Sequence, residues 1–379
     1  MKIGIISESQ VNKGMSFGVR LREVLKELTF AEEMGFDFAG TSEQHFMDGQ
    51  WAVSAPEIVL TALAERTSNI KLRYMACVAL GFNHPVRAAE RFATQDILAP
   101  GRLEVATARS NNAVYQRGFG VNPATTSEEQ QEWLEVVIRS LLEPEVEVHG
   151  KFFDVGPVTV TPPLERKTLL PFYMTTTSPA SHTVAGKLGL GCMTADTFMG
   201  WEFQQQLVDA YKKGFAEAKP IGGLYEPTYA LCGFTFPAYC AATRQEAFDH
   251  ARANSLGLIN HVIELAEGLS GTGAPGYQYW GELAENLHKH GHDLDYVEKS
   301  TPMLMLGTPD DFIEKIKRLE EMGMTEVVLK LDGFGHARTM RAIEMVGKYV
   351  IPEFKARQGS IPPNCLERVG IEGVESFQL

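Results

Sequence analysis

One polar run, Ser42-Glu43-Gln44-His45-Phe46, carries groups that could do acid–base or hydrogen-bond chemistry at the end of a β-type stretch. His45 changes charge near neutral pH, and Glu43 lies close enough in sequence to orient it or to act as a carboxylate itself. Gln44 cannot exchange a proton near neutral pH, yet it both donates and accepts hydrogen bonds. We expect Glu43, Gln44 and His45 to form the catalytic cluster, although Glu43 is at least as well suited to holding loop amides. A second group, Thr175-Thr176-Thr177-Ser178-Pro179, sets a row of hydroxyls before a helix that opens on proline. Hydroxyls and free N–H groups at a helix start bind anions well, so Thr175 and Ser178 are expected at an anion site. Arg109 ends another β-type run, where a charged side chain must face open space or find a partner. A contact with an anion or ligand is expected there, with Asn111 and Asn112 behind it as polar contacts or turn residues.

Other candidates carry less. His84-Pro85 reads as a helix entry, and His288, His290 and His292 alternate in a stretch that reads as a loop without a fourth ligand. The five cysteines are scattered, with no metal-ligand spacing, so reduced thiols and no metal site are expected. The net charge of −13 speaks against a nucleic-acid partner. No apolar run is long enough for a membrane span and β-type residues begin at Lys2, so a cytoplasmic protein is expected.

These residues must be positioned by a regular frame. Strand-like runs over 2–7, 38–41, 72–78 and 103–108 alternate with helical patterns, the third helix being 85–98. Repetition of this kind implies a parallel sheet, open or closed. A polar loop after Arg109, a helix over 128–142 and an inserted hairpin over 145–160 follow, and the alternation resumes with strands at 171–175, 191–194 and 229–237. The stretch 245–301 breaks the period and is expected to be a lid or binding loop, with Tyr277, Tyr279 and Trp280 as its aromatic face. Thr308-Pro309 then caps a helix over 310–322, and a strand at 326–331 and a helix over 338–354 complete the count. The expected fold is an α/β (β/α)8 TIM barrel in one domain, 1–358, with a loose tail at 359–379.

The segments SEQHF, LGFNHPVR, APGRLEVATAR, PFYMTTTSPASHTVAGKLGLG and LGTPDDFIEKIKRLEEMG, in this order and spacing, resemble the bacterial luciferase-like, flavin-dependent monooxygenases. The resemblance runs from residue 2 to about residue 355 and implies reduced FMN at the C-terminal mouth of the barrel. It places Ala76-Cys77 at a non-prolyl cis peptide beneath the flavin, Arg109 beside it, and Thr177, Ser178 and Ser181 around the FMN phosphate. It makes His45 a pocket residue. Gln44 stands where luciferases carry a catalytic histidine, so light emission from a long aldehyde is not expected and the acid or base is left unassigned. Thr177 replaces a glutamate of the luciferases. The implied chemistry is two-component: a separate NAD(P)H:flavin reductase supplies reduced FMN, dioxygen forms a C4a-(hydro)peroxyflavin, and a small organic substrate is oxygenated. The absence of a GxGxxG fingerprint after a strand agrees with a borrowed flavin. A homodimer is also implied. The alternatives are a deazaflavin-dependent oxidoreductase on the same barrel, or a non-catalytic flavin-binding subunit.

Overall fold

The computed structural model describes residues 1–46, 50–109, 112–270 and 280–355. Eight parallel strands close a barrel in the order β1-β12-β9-β8-β7-β4-β3-β2, where β1 is Lys2–Ser7, β2 Phe38–Thr41, β3 Lys71–Val78, β4 Leu103–Ala108, β7 Phe172–Thr176, β8 Gly191–Thr194, β9 Leu231–Thr235 and β12 Glu326–Lys330. β1 closes the ring by pairing with β2 on one side and β12 on the other. The strands read as near-continuous apolar runs because both faces are covered, by the barrel interior and by the outer helices.

Helices follow the local signals. α1 (Phe17–Glu33) is capped by the Ser16 hydroxyl and ends before Gly35, whose φ of 83° favours a residue without a side chain. α2 (Pro56–Ala64) and α3 (Pro85–Leu98) both open on proline. α5 (Thr126–Leu142) buries Trp133, Val136 and Val137, as its spacing implied. The inserted hairpin is β5 (Val146–His149) with β6 (Asp154–Val158), its second strand starting earlier than the run at 158–160 expected from the sequence. The reason is Glu132, whose carboxylate accepts from the amides of Lys151, Phe152 and Phe153 and tightens the turn.

Two expectations are corrected. The polar loop after Arg109 contains a short helix, α4 (Ala113–Gly118), capped by the Asn112 side chain. The stretch after β9 is mostly helical, not a loop: α8 (Arg244–Ser270), α9 (Trp280–His290) and α10 (Leu294–Ser300). The periodic signal was present, since Ala247, Ala251, Ser255, Ile259, Val262 and Ala266 are all buried along one side of α8. His288 and His290 therefore lie on a helix, where His288 faces Glu267 of α8 at 2.8 Å and His290 stacks on Tyr296. Tyr277, Tyr279 and the tail at 359–379 lie outside the described residues, while Trp280 is buried at the start of α9. A parallel ribbon of β10 (Ala238–Cys240) and β11 (Met305–Gly307) brackets this insertion and returns the chain to the barrel.

Inside the barrel, Ile6, Phe38, Met75, Ala106 and Val328 fill the centre. At the N-terminal end the fully buried Arg73 forms the floor. Its guanidinium donates to Glu104 at 2.7 Å, Glu326 at 2.7 Å and the Tyr173 hydroxyl at 3.0 Å, and it lies over the Phe38 ring. The described cysteines are free and buried. No described helix is long and apolar enough to cross a membrane.

Candidate active site

The C-terminal ends of the strands gather the polar groups singled out above, at the face where barrels place their sites. After β2, Glu43 turns inward and is almost buried. One of its oxygens accepts from the Val78 amide at 2.9 Å, and the other meets Asn83 Nδ2 and His45 Nε2, each at 2.8 Å. Glu43 is thus a positioning group that ties the β2 and β3 loops together and aims His45. The His45 ring stands in an aromatic enclosure, edge-on to Phe119 at 4.9 Å, Tyr115 at 5.7 Å and Phe82 at 5.8 Å. Gln44 is also held: its amide donates to Ser42 at 3.0 Å and its carbonyl accepts from the Tyr115 hydroxyl. Burial raises the Tyr115 phenol to about 12, so it stays a donor at neutral pH. The three expected catalytic residues are therefore brought together, but by a network of which sequence reasoning supplied only one side.

On β3 the non-prolyl cis peptide is Met75-Ala76, one residue before the expected Ala76-Cys77. The β3–β4 register shifts between Met75 and Cys77, which leaves Ala76 unpaired in a bulge and swings Cys77 to the other side of the strand. Ala76 packs toward the barrel centre, whereas the Cys77 side chain is buried in the outer layer. That burial pushes its thiol well up, with Glu43 adding to the effect. Arg109 follows β4 directly and is half-buried at the rim. Asn111 lies outside the described residues.

β7 and β8 carry the candidate anion site. Ser178 caps α6 (Pro179–Lys187), its hydroxyl lying 3.4 Å from the Ser181 amide and 3.0 Å from the Ser181 hydroxyl. Thr177 stands half-buried before the cap. Among the described residues the Thr175 hydroxyl is buried with no hydrogen-bond partner, and so is that of Thr197 in the loop after β8. Buried polar atoms are rarely left unsatisfied, so orphan hydroxyls on β7 and in the loop after β8 fit a guest that brings oxygens, as a phosphate monoester does. The residues present therefore suit the phosphate end of a flavin nucleotide.

Sequence reasoning missed two residues here. His182, fully buried, bonds the Thr194 hydroxyl at 2.7 Å and the Ser178 carbonyl at 2.8 Å, with the Thr176 hydroxyl at 3.0 Å. Burial lowers it to about 4, so it is neutral and locks the cap of α6 to the strands beneath. Its position one turn inside a hydroxyl-capped helix was the available signal. The other is Glu8, one residue past β1, where a carboxylate at a strand end deserved the weight given to Arg109. Glu8 keeps some exposed surface, yet packing around its carboxyl pushes it up to about 7. It lines a cavity of about 270 Å³ at this mouth, with Trp51, Phe236, Asn254, His261 and Lys330.

Elsewhere, Glu23, Glu27 and His336 approach one another as metal ligands would. The Arg20 guanidinium already sits on Glu27 at 2.8 Å and on Glu23 at 3.4 Å, so a cation occupies that place.

An eight-stranded parallel barrel with its polar groups at the C-terminal mouth is the frame of an enzyme. Residues 1–326 match the luciferase-like monooxygenase family, and the chain belongs to it. It is 25% identical to limonene 1,2-monooxygenase of Rhodococcus erythropolis over 93% of this chain and 85% of that one. It is 23% identical to the oxygenase component of the flavin-dependent trigonelline monooxygenase of Acinetobacter baylyi, covering 88% and 89% of the two chains. An F420-dependent glucose-6-phosphate dehydrogenase of Microbacterium testaceum is 25% identical, over 88% of this chain and 94% of that one. Among solved structures, the oxygenating constituent of 3,6-diketocamphane monooxygenase from Pseudomonas putida, in complex with FMN, shares the fold with a TM-score of 0.73, 19% identity and coverage of 93% and 99%.

Proposed function

We propose that this chain is the oxygenase of a two-component, FMN-dependent monooxygenase, acting as a homodimer on a small organic substrate with reduced FMN from a separate NAD(P)H:flavin reductase. The observation that carries the reading is the hydroxyl-rich start of α6: Ser178 and Ser181 at its first turn, with the Thr175 hydroxyl on the preceding strand buried and without a hydrogen-bond partner among the described residues. Thr177 and Arg109 complete the set that would hold the nucleotide, Arg109 from the neighbouring strand β4. Ala76 in the β3 bulge would lie under the ring system. When bound, reduced flavin supplies the electrons that activate dioxygen, one oxygen atom going to the substrate and the other to water. The chain binds, orients and shields: Glu43 fixes His45, Tyr115 fixes Gln44, and the aromatic enclosure of Phe82, Tyr115 and Phe119 keeps water from that side of the mouth. A relative named as the oxygenase component of a flavin-dependent monooxygenase supports the separate reductase.

A deazaflavin-dependent hydride transfer is the second reading, favoured by the similarity to the F420-dependent dehydrogenase. Anaerobic titration with photoreduced FMN, riboflavin and reduced deazaflavin separates the two. Tight, stoichiometric binding of reduced FMN, weaker binding of riboflavin, and oxygen uptake on aeration are expected. Binding of the deazaflavin alone overturns the monooxygenase reading.

A further inference from the structure

Two polar side chains in the cavity at the mouth make no hydrogen bond among the described residues, and they are complementary. The indole N–H of Trp51 is buried and donates to no described residue. The Glu8 carboxyl accepts no hydrogen bond among the described residues; the contact made at this residue goes to its backbone carbonyl. Both side chains line the same cavity of about 270 Å³. The loops that bring them together are locked: Ser9, at φ 58°, accepts through its hydroxyl from the amides of Ala52 and Val53, both at 3.0 Å. A bridge between Gln10 and Trp51 fastens the two loops again.

The opposite wall comes from the inserted helix α8. Asn254, Gly257 and His261 fall on one side of it and line the cavity. A Cβ added at Gly257 would meet nothing within 4 Å, so this wall is open to a guest. Lys330 lies 3.2 Å from Asp332, which also faces Arg20 of α1 at 3.4 Å. Lys330 also acts on Glu8 through space, opposing the rise of its carboxyl, while Asp332 adds to that rise. His261 faces the cavity from α8, and Tyr115 of α4 lies within the electrostatic reach of Glu8.

We propose that this cavity is the organic-substrate subsite of the monooxygenase reading above, that it takes a hydroxylated ring of phenol or enol type, and that Glu8 is the base that removes the hydroxyl proton. The ring lies against Trp51 and Phe236, an acceptor on the substrate takes the Trp51 N–H, and the hydroxyl donates to Glu8. In the step itself the substrate O–H bond breaks, the proton goes to a Glu8 oxygen, and the electron pair stays on the substrate as a phenolate or enolate. Such an anion has an electron-rich ring or carbon, the form that accepts an electrophilic oxygen atom. Matching favours this class: a phenol ionises at about 10, within reach of a carboxyl raised by burial, whereas an aliphatic alcohol is far too weak an acid. The assignment supplies the proton acceptor that Gln44 cannot be.

The test uses 4-nitrophenol, whose hydroxyl ionises near neutral pH, in equilibrium dialysis with the native protein, Glu8→Gln and Trp51→Phe, each without flavin and with photoreduced FMN under argon. One proton is shared between probe and Glu8 in the complex, so native affinity is expected to be bell-shaped in pH with its maximum near neutrality. Glu8→Gln is expected to lose the bell and follow the ionisation of the probe alone. Trp51→Phe is expected to keep the bell with affinity about tenfold lower, the effect of one lost hydrogen bond. Gly257→Leu, which has room to fold, is expected to abolish binding. Absence of probe binding to the native protein in both conditions, or an unchanged bell in Glu8→Gln, overturns the proposal. Reduced-FMN binding without probe binding sinks the subsite alone. The bell without any FMN binding sinks the monooxygenase reading and leaves the subsite standing.

Discussion

His182 has no exposed surface, yet it touches both strands and the Ser178 cap of α6. Its imidazole is lowered to about 4 by burial, against about 6.5 when exposed. The neutral form is favoured in the folded protein, so this stabilisation is fully present above pH ~6.5 and is lost as pH falls toward about 4. The span corresponds to about 3 kcal/mol. Urea unfolding of the native chain and of His182→Gln across that interval is expected to show a steeper acid loss in the native chain; parallel curves would remove His182 from this role. Ser178→Ala tests the turn above it. It should cost about 1 kcal/mol of stability through the lost cap. On the proposed function it should also weaken reduced FMN while leaving riboflavin unchanged in the same titration, since only FMN brings a phosphate. Arg109→Ala should likewise weaken reduced FMN, and an unchanged affinity would strike it from the site.

At the level of elements, local chemistry decides where helices start and neighbours decide what they cover. α11 (Pro309–Met322) carries a full capping box, Thr308 and Asp311 each bonding the other's backbone amide. Thr308→Ala is expected to cost about 1–2 kcal/mol and lower the melting temperature in calorimetry. A change within error would mean that β11 alone holds this end. β3 shows the opposite case. Its bulge at Ala76 arises from pairing with β4, and pairing of strands far apart in sequence leaves no mark on either segment read alone. That is why the cis peptide is displaced by one residue from its expected place, and why Cys77 turns to the outer layer and not to the mouth.

At the scale of the molecule, the barrel is joined at its floor by one cation. Arg73 of β3 holds Glu104 of β4, Glu326 of β12 and Tyr173 of β7 from a position without exposure. Removing it leaves two buried carboxylates facing each other, so Arg73→Leu is expected to destabilise by about 3–5 kcal/mol. Chemical denaturation measures this directly, and a loss below about 1 kcal/mol would show that Lys2 and water compensate.

Much of this architecture is legible one segment at a time. The alternation of strand and helix, the proline starts of α3 and α11, Gly35 after α1 and the hydroxyls before α6 depend on backbone chemistry within a few residues, so reading along the chain finds them. The family resemblance rests on the same short segments. Three things are not legible that way: the inward turn of Glu43 onto Val78, Asn83 and His45; the meeting of Glu8 and Trp51 through Ser9; and the placing of α8 as a wall of the mouth. Each depends on contacts between segments tens to hundreds of residues apart, and such contacts exist only once the strands have closed. Glu43, Gln44 and His45 could be picked out by residue type; closure of the barrel made two of them supports and set Glu8 beside a cavity.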